Sequence, residues 1–360
     1  MRPSNRAMRR STLRDSDRDP PIDATMRWLL EETQPSIRYL ALTELMGRGE
    51  SDPEVAAAKK LIRSTGWAAD ILSSRIPGAG WKDGVARRRG PTGARTEAPT
   101  LYRPKYVSTN WMMLVLSDLG LTRSDPGIAE LCEYWMDGFA TREGGLGGSS
   151  TGTPHYCVAA NMARALIRFG YDDDPRVRKT MEWLARVAHA KGGWSCWGPG
   201  RNLDSWEAMS AFAEYPREKW TEEMRGCVER GAEFFLQRQL YQQGRRYAPW
   251  YRFHYPVHYY YDLLVGMDFM ARLGYAGDPR MEYAIQFLHS RRGRTGRWNL
   301  DAVHPDVEGP IATFFAQHPS QRPVPFALEK AGHPSKMITF RALRVLRAVE
   351  RTDPPRLPAA

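Results

Sequence analysis

Arg168-Phe169-Gly170-Tyr171-Asp172-Asp173-Asp174-Pro175 reads as one helix ending, a short turn, and a second helix beginning. Glycine after the last apolar residue is a C-terminal stop. Aspartate followed by proline is a start, because the carboxylate caps free N–H groups and proline suits the first turn. The same punctuation recurs at Leu45-Met46-Gly47 with Asp52-Pro53, at Asp118-Leu119-Gly120 with Asp125-Pro126, and at Arg272-Leu273-Gly274 with Asp278-Pro279. The unit is therefore helix, glycine turn, Asp-Pro, helix.

The four prolines are spaced by 73, 49 and 104 residues. The last interval is about twice the middle one, so it should hide a further copy. That copy is Asp204–Tyr215, a Pro216-Arg217-Glu218-Lys219 turn, and Trp220–Leu240. The second helices are expected over Glu54–Leu72, Gly127–Phe139, Arg176–Ala190 and Arg280–Ser290. Glycine-aromatic loops follow them at Gly80-Trp81, Gly192-Gly193-Trp194 and Gly296-Arg297-Trp298, with Gly144–Gly147 and Tyr247–Trp250 as variants. A short helix near Ala24–Glu32 opens the series and Ser335–Val349 ends it, giving twelve helices. Starting on a second-type helix and ending on a first-type helix lets the termini complete one hairpin. The expected fold is all-α, an (α/α)6 toroid with inner and outer rings, rather than an open solenoid. Residues 1–22 read as a basic disordered tail, 23–352 as the toroid domain with a basic insertion at about 83–103, and 353–360 as a C-terminal tail.

Composition narrows the function. A hydrophobic fraction of 42% is enough for a substantial core. No apolar run reaches the ~18–20 residues that span a bilayer, and no apolar stretch follows the Arg-rich N-terminus, so a cytoplasmic location is expected. The net charge of +11 sits partly in the tail and in Arg87-Arg88-Arg89. No nucleic-acid-binding module accompanies it, so nucleic acid is not an expected partner. Peripheral contact with a membrane stays open.

Glycine-aromatic loops joining hairpins are similar to those of squalene–hopene cyclases and protein prenyltransferase β-subunits. Gly170–Val177 with Gly192–Cys196, Phe253–Asp262 and Pro334–Thr339 resemble bacterial prenyltransferase or squalene-cyclase repeat proteins. The resemblance covers about residues 23–350 and implies the toroid of the terpenoid cyclase/protein prenyltransferase superfamily. It implies an isoprenoid or other large apolar substrate in an aromatic-lined central cavity. The family chemistry is less evident. Asp172-Asp173-Asp174 is the nearest string to the Asp-x-Asp-Asp acid of the cyclases, yet it lies where capping accounts for it. No Asp-x-Cys zinc pattern and no Mg-binding pair of Asp-rich motifs is present. Fold alone does not fix function.

Among candidate catalytic residues, His254, His258 and Asp262 fall at i, i+4 and i+8, one face of a helix if the helix includes His254; if it starts at Pro256, His254 belongs to the entry loop. A His–Asp pair positions a general acid or base. Glu207 and Asp301 are carboxylates whose pKa would rise in an apolar cavity. Substrate contacts are expected from Trp111, His155, Trp194, Trp206, Trp250, Tyr255, Tyr259, Trp298 and Lys336. Aromatic faces line apolar chains and attract cations. Lys336, at a helix N-terminus against the dipole, makes sense facing an anion. No cofactor is expected beyond zinc, which Cys157 and Cys196 with His155, His254 or His258 would suit. Two alternatives stand beside the isoprenoid enzyme. One is a non-catalytic toroid that binds peptide or lipid. The other is an (α/α)6 carbohydrate-active enzyme using Asp204, Glu207 and Asp301.

Overall fold

The computed structural model describes residues 23–77, 79–89, 95–148, 154–195, 206–241, 247–258, 260–304, 313, 316–317 and 324–352, with backbone only for 85–89 and 95–99. Both tails, Tyr259, Cys196 and Asp204 lie outside the described residues. The fold is predominantly α-helical. In chain order the helices are α1 (Ala24–Leu29), α2 (Pro35–Leu40, continued by a π turn over Ala41–Leu45), α3 (Pro53–Leu61), α4 (Trp67–Ser73), α5 (Thr109–Asp118), α6 (Ile128–Gly138) and α7 (Tyr156–Arg168). They continue as α8 (Pro175–Arg186), α9 (Trp206–Glu214), α10 (Glu222–Leu236), α11 (Leu263–Arg272), α12 (Glu282–Ser290) and α13 (Lys336–Thr352).

The Asp-Pro starts behave as the local chemistry dictates in three of four copies. Asp52, Asp174 and Asp278 each accept a backbone N–H two residues on, at 2.8–2.9 Å. The fourth differs. Asp125 turns back to the Thr122 N–H (2.7 Å) and pairs with Lys59 (2.9 Å), and α6 begins only after Gly127. The stop glycines Gly47, Gly120, Gly170 and Gly274 all take φ between +71° and +94°, where a side chain would be strained. The expected helix over Glu54–Leu72 is in fact two, α3 and α4, broken before Gly66 at φ +75°. The insertion is not simple loop. Gly84–Arg89 pairs antiparallel with Arg95–Thr100 as a two-stranded hairpin, Gly84 opposite Thr100.

The first helices of the hairpins are the buried class: all ten residues of α5 are buried, whereas α8 buries five of twelve. They pack in sequence order, α5 on α7, α7 on α9, α9 on α11 and α11 on α13. Helix α13 packs in turn on α2 and its π turn. Gly120, at the end of α5, lies against the Tyr39 ring of α2. At the other end of α13, Lys336 donates to the Trp28 carbonyl of α1, pairs with Glu31 (2.8 Å) and lies 4.9 Å from the Trp28 ring centroid. The anion that Lys336 faces is therefore Glu31, and the contact ties last helix to first.

The glycine-aromatic loops have a repeated structural task. The indole N–H of Trp81 donates to Ile71, that of Trp194 to Leu184 and that of Trp298 to Leu288, each ten residues back, at 2.8–2.9 Å. Each bond adds a donor to a carbonyl in the last turn of the preceding second-type helix, where intrahelical donors run out; Ile71 and Leu288 also accept a backbone N–H, from Ser74 and Arg291. These three indoles are almost fully buried. Trp298→Phe keeps an aromatic ring and removes the donor while Leu288 retains Arg291, so it should cost about 0.5–1.5 kcal/mol in urea unfolding. A change below a few tenths would show that the bond does not matter.

Candidate functional site

Residues 252–258 and 260–262 are mostly buried, non-helical chain with a cis Tyr255–Pro256 bond. It is not the helix that the i, i+4, i+8 spacing suggested. Asp262 is instead the N-cap of α11, accepting the Val265 N–H at 2.9 Å through Oδ1. The chain folds back so that Asp262 Oδ2 accepts the His254 backbone N–H (3.0 Å) and meets His254 Nδ1 at 2.6 Å. The pair forms, but through a loop and a cap rather than a shared helix face. An ionised carboxylate only accepts, so Nδ1 carries hydrogen and Nε2 is left for chemistry. Nε2 is buried with no partner among the described residues.

His258 and His304 complete the cluster. His258 stacks on Tyr106 at 4.8 Å and meets Trp111 edge-on at 5.1 Å. Its two ring nitrogens have no partner among the described residues. His304 stacks on the Tyr106 ring at 3.7 Å, and its Nε2 accepts the Phe326 N–H at 3.1 Å. Burial, with His254 nearby, pushes His304 down to about 3. Burial, then His304, His254 and Arg164, pushes His258 well below the usual imidazole range. Both rings are thus neutral at pH 7. His304 and Tyr106 went unread in the sequence; they come from irregular segments with no periodicity to mark them.

Of the other expected site residues, Trp111 and Tyr255 border this centre. Trp111 donates to the Tyr102 carbonyl at 2.9 Å. Tyr255 lies under Arg341, 5.5 Å from guanidinium to ring centroid, and burial raises its phenol well above the ordinary value. Trp206 lies under Arg164 at 5.6 Å, and Glu207 is buried beside it in the first turn of α9. The remainder are placed elsewhere. Asp301 accepts the Phe253 N–H (2.9 Å) and pairs with Arg291, which makes it a tether for the loop. Trp250 stacks on Tyr241 at 4.4 Å and is half-buried. His155 is exposed ahead of α7, and Cys157 is half-buried in its first turn. Trp194, Trp298 and Lys336 hold the structural contacts already given. Among the described residues no group of three or more His, Cys, Asp or Glu has metal-binding geometry. No helix among them is long and apolar enough to cross a membrane. The Asp172–Asp174 string is committed to the Asp174 cap and to Lys219, which pairs with Asp172 and with Asp173 (2.7 Å).

No family model matches the sequence, and no curated protein matches it.

A second feature lies where the first helices end. Asp118, Arg168, Glu214 and Arg272 occupy the last turns of α5, α7, α9 and α11. Arg168 pairs with Asp118 and Glu214, and Arg272 also pairs with Glu214. Arg344 of α13 clasps Asp268 at 2.7 and 2.9 Å and pairs with Glu44. Arg341 reaches Asp118 at 3.2 Å. This charged layer borders an open cavity of about 290 Å³, also lined by Tyr39, Thr43 and Phe340. Asp118, Arg168 and Arg272 each stand two residues before a stop glycine, and Glu214 stands two before Pro216, which opens the turn that replaces one.

Proposed function

We propose that the chain closes into an α/α toroid of six helix pairs, akin to the terpenoid cyclase/prenyltransferase class, and that His254 is the general base of an enzyme acting on an isoprenoid or other large apolar substrate. A cytoplasmic location belongs to the same reading. Closure is supported by α13 packing on α2 and by Lys336 reaching α1. The catalytic reading rests on one observation: a buried His254–Asp262 pair whose Nε2 has no partner among the described residues, within electrostatic reach of His258 and His304. Asp262 fixes the imidazole tautomer and orientation. Nε2 then takes a proton from a substrate carbon or hydroxyl, and Asp262 stabilises the imidazolium that results.

Native mass spectrometry of the purified protein and incubation with linear isoprenoids test this directly. The expected result is a retained apolar ligand, and turnover that falls at least ~100-fold in His254→Gln, the usual scale of a lost general base. Neither ligand nor turnover in the folded wild-type protein would reject the reading. The non-catalytic toroid is favoured by a different observation: His254, His258 and Asp262 are each only 1% exposed, while the open cavity is lined by charged groups. On that reading a ligand is retained but His254→Gln leaves it unchanged.

A further inference from the structure

Beside the charged layer lies a small, largely closed pocket reached by Arg164 of α7 and Arg341 of α13. The carboxylates nearby all have guanidinium partners. Asp118 has Arg168 and Arg341, Glu214 has Arg168 and Arg272, and Asp268 and Glu44 have Arg344. Arg164 has no carboxylate among the described residues. Its Nη2 makes a long 3.5 Å contact with the Val257 carbonyl, and its buried Nε has no partner there. Five guanidiniums thus meet four carboxylates, and the excess charge falls on a side chain that is 2% exposed. Burial pushes Arg164 down to about 10; Asp118 offsets part of that, and Arg168 and Arg341 add to it. It remains a cation at neutral pH. A buried charge is tolerated when it is paired and hydrogen-bonded. The carbonyl end of α7 helps, but Arg164 sits four residues before that end, and the dipole's influence fades within a turn.

We propose that this pocket binds one small monovalent anion, a halide ion or a carboxylate oxygen, between Arg164 and Arg341. Only about 10 Å³ is open to the centre of a water-sized sphere, which suits a small anion better than diphosphate. The pocket shares Arg168, Glu214, Arg272 and Arg341 with the 290 Å³ cavity, so an anion arrives from that side. The site is separate from His254 and stands whether or not that residue is catalytic.

The test compares chloride, formate and gluconate at constant ionic strength, gluconate being too large to enter. The wild-type melting temperature should rise in chloride or formate and saturate, as a site-bound ligand requires. A response to chloride alone identifies a halide site; a response to formate alone identifies a carboxylate site. Arg164→Met should remove the response while melting no lower in gluconate. Crystals grown in bromide should show an anomalous peak between Arg164 and Arg341 where chloride stabilises, and crystals grown in formate should show formate there where formate alone does; neither readout depends on the variant folding. Equal melting in all three salts, the same response in Arg164→Met, or a water in place of the ion that raised the melting temperature would overturn the proposal.

Discussion

Stability should fall steeply as pH drops below about 6.5, before ordinary carboxylates begin to titrate. The cause is the pair of buried neutral imidazoles. His304 is held at about 3 by burial and by His254, and His258 lies well below its ordinary value through burial, His304, His254 and Arg164. In the unfolded chain both return to about 6.5. Below that pH the unfolded state binds protons that the native state refuses, so protonation favours unfolding. The stabilisation is complete above 6.5 and is lost as pH falls toward the folded values. Each imidazole contributes about 1.4 kcal/mol per pH unit, roughly 3 together. Against a typical total of ~5–15 kcal/mol, two units is a large part of the whole. Glu329 and Asp83, whose carboxyls burial raises, work in the opposite direction, but hydrogen bonds to each oppose that rise. Urea midpoints between pH 8 and 4.5 measure the slope. His304→Phe, which preserves a ring against Tyr106, should remove about half of it. A flat profile from pH 7 to 5 would mean that these rings are charged or solvated.

The same cluster shows what could and could not be seen in the chain alone. The helix starts were legible because an aspartate cap acts on its own backbone two residues away, so Asp52, Asp174 and Asp278 needed no tertiary information. The His254–Asp262 pair was found by a helical spacing that does not exist there. Asp262 before Leu263-Leu264-Val265 is itself a cap signal, and reading it as such would have started α11 correctly. His304 and Tyr106 meet across about 200 residues of chain, a contact that no local pattern encodes. The alternating charges were in plain view. Asp118, Arg168, Glu214 and Arg272 stand at one position of the repeat, two before the turn, with signs that alternate along the chain. Aligning the copies for their side chains, and not only for their glycines, predicts that neighbouring helices pair there. The aromatic positions were misjudged for a different reason. Trp194 and Trp298 look like cavity walls by type, but each loop indole instead donates to a carbonyl in the last turn of a helix.

Glu214→Ala should be among the most damaging single substitutions in the protein. Burial pulls this carboxyl up, yet Arg168 and Arg272 outweigh it and hold it at about 2. Removing the carboxylate leaves two guanidiniums turned toward one another at the wall of the open cavity, with Arg272 the more exposed of the two. Breaking a buried pair from one side costs ~3–5 kcal/mol, because the remaining charge is desolvated and unmatched. Arg168 keeps Asp118, so the loss falls hardest on Arg272. The pH window differs from that of the histidines. A depressed carboxyl stabilises the fold above its ordinary value of 4.5, and that contribution disappears as pH falls from 4.5 toward 2. Wild type and Glu214→Ala should therefore differ most at neutral pH and converge in strong acid. A double-mutant cycle separates charge from packing. Arg272→Met with Glu214→Met removes both partners and should cost less than Glu214→Met alone, since no new lone cation is left at position 272. If Glu214→Ala changes stability at pH 7 by less than about 0.5 kcal/mol, the value of an ordinary surface substitution, the layer is solvated and the helix ends are not locked by charge.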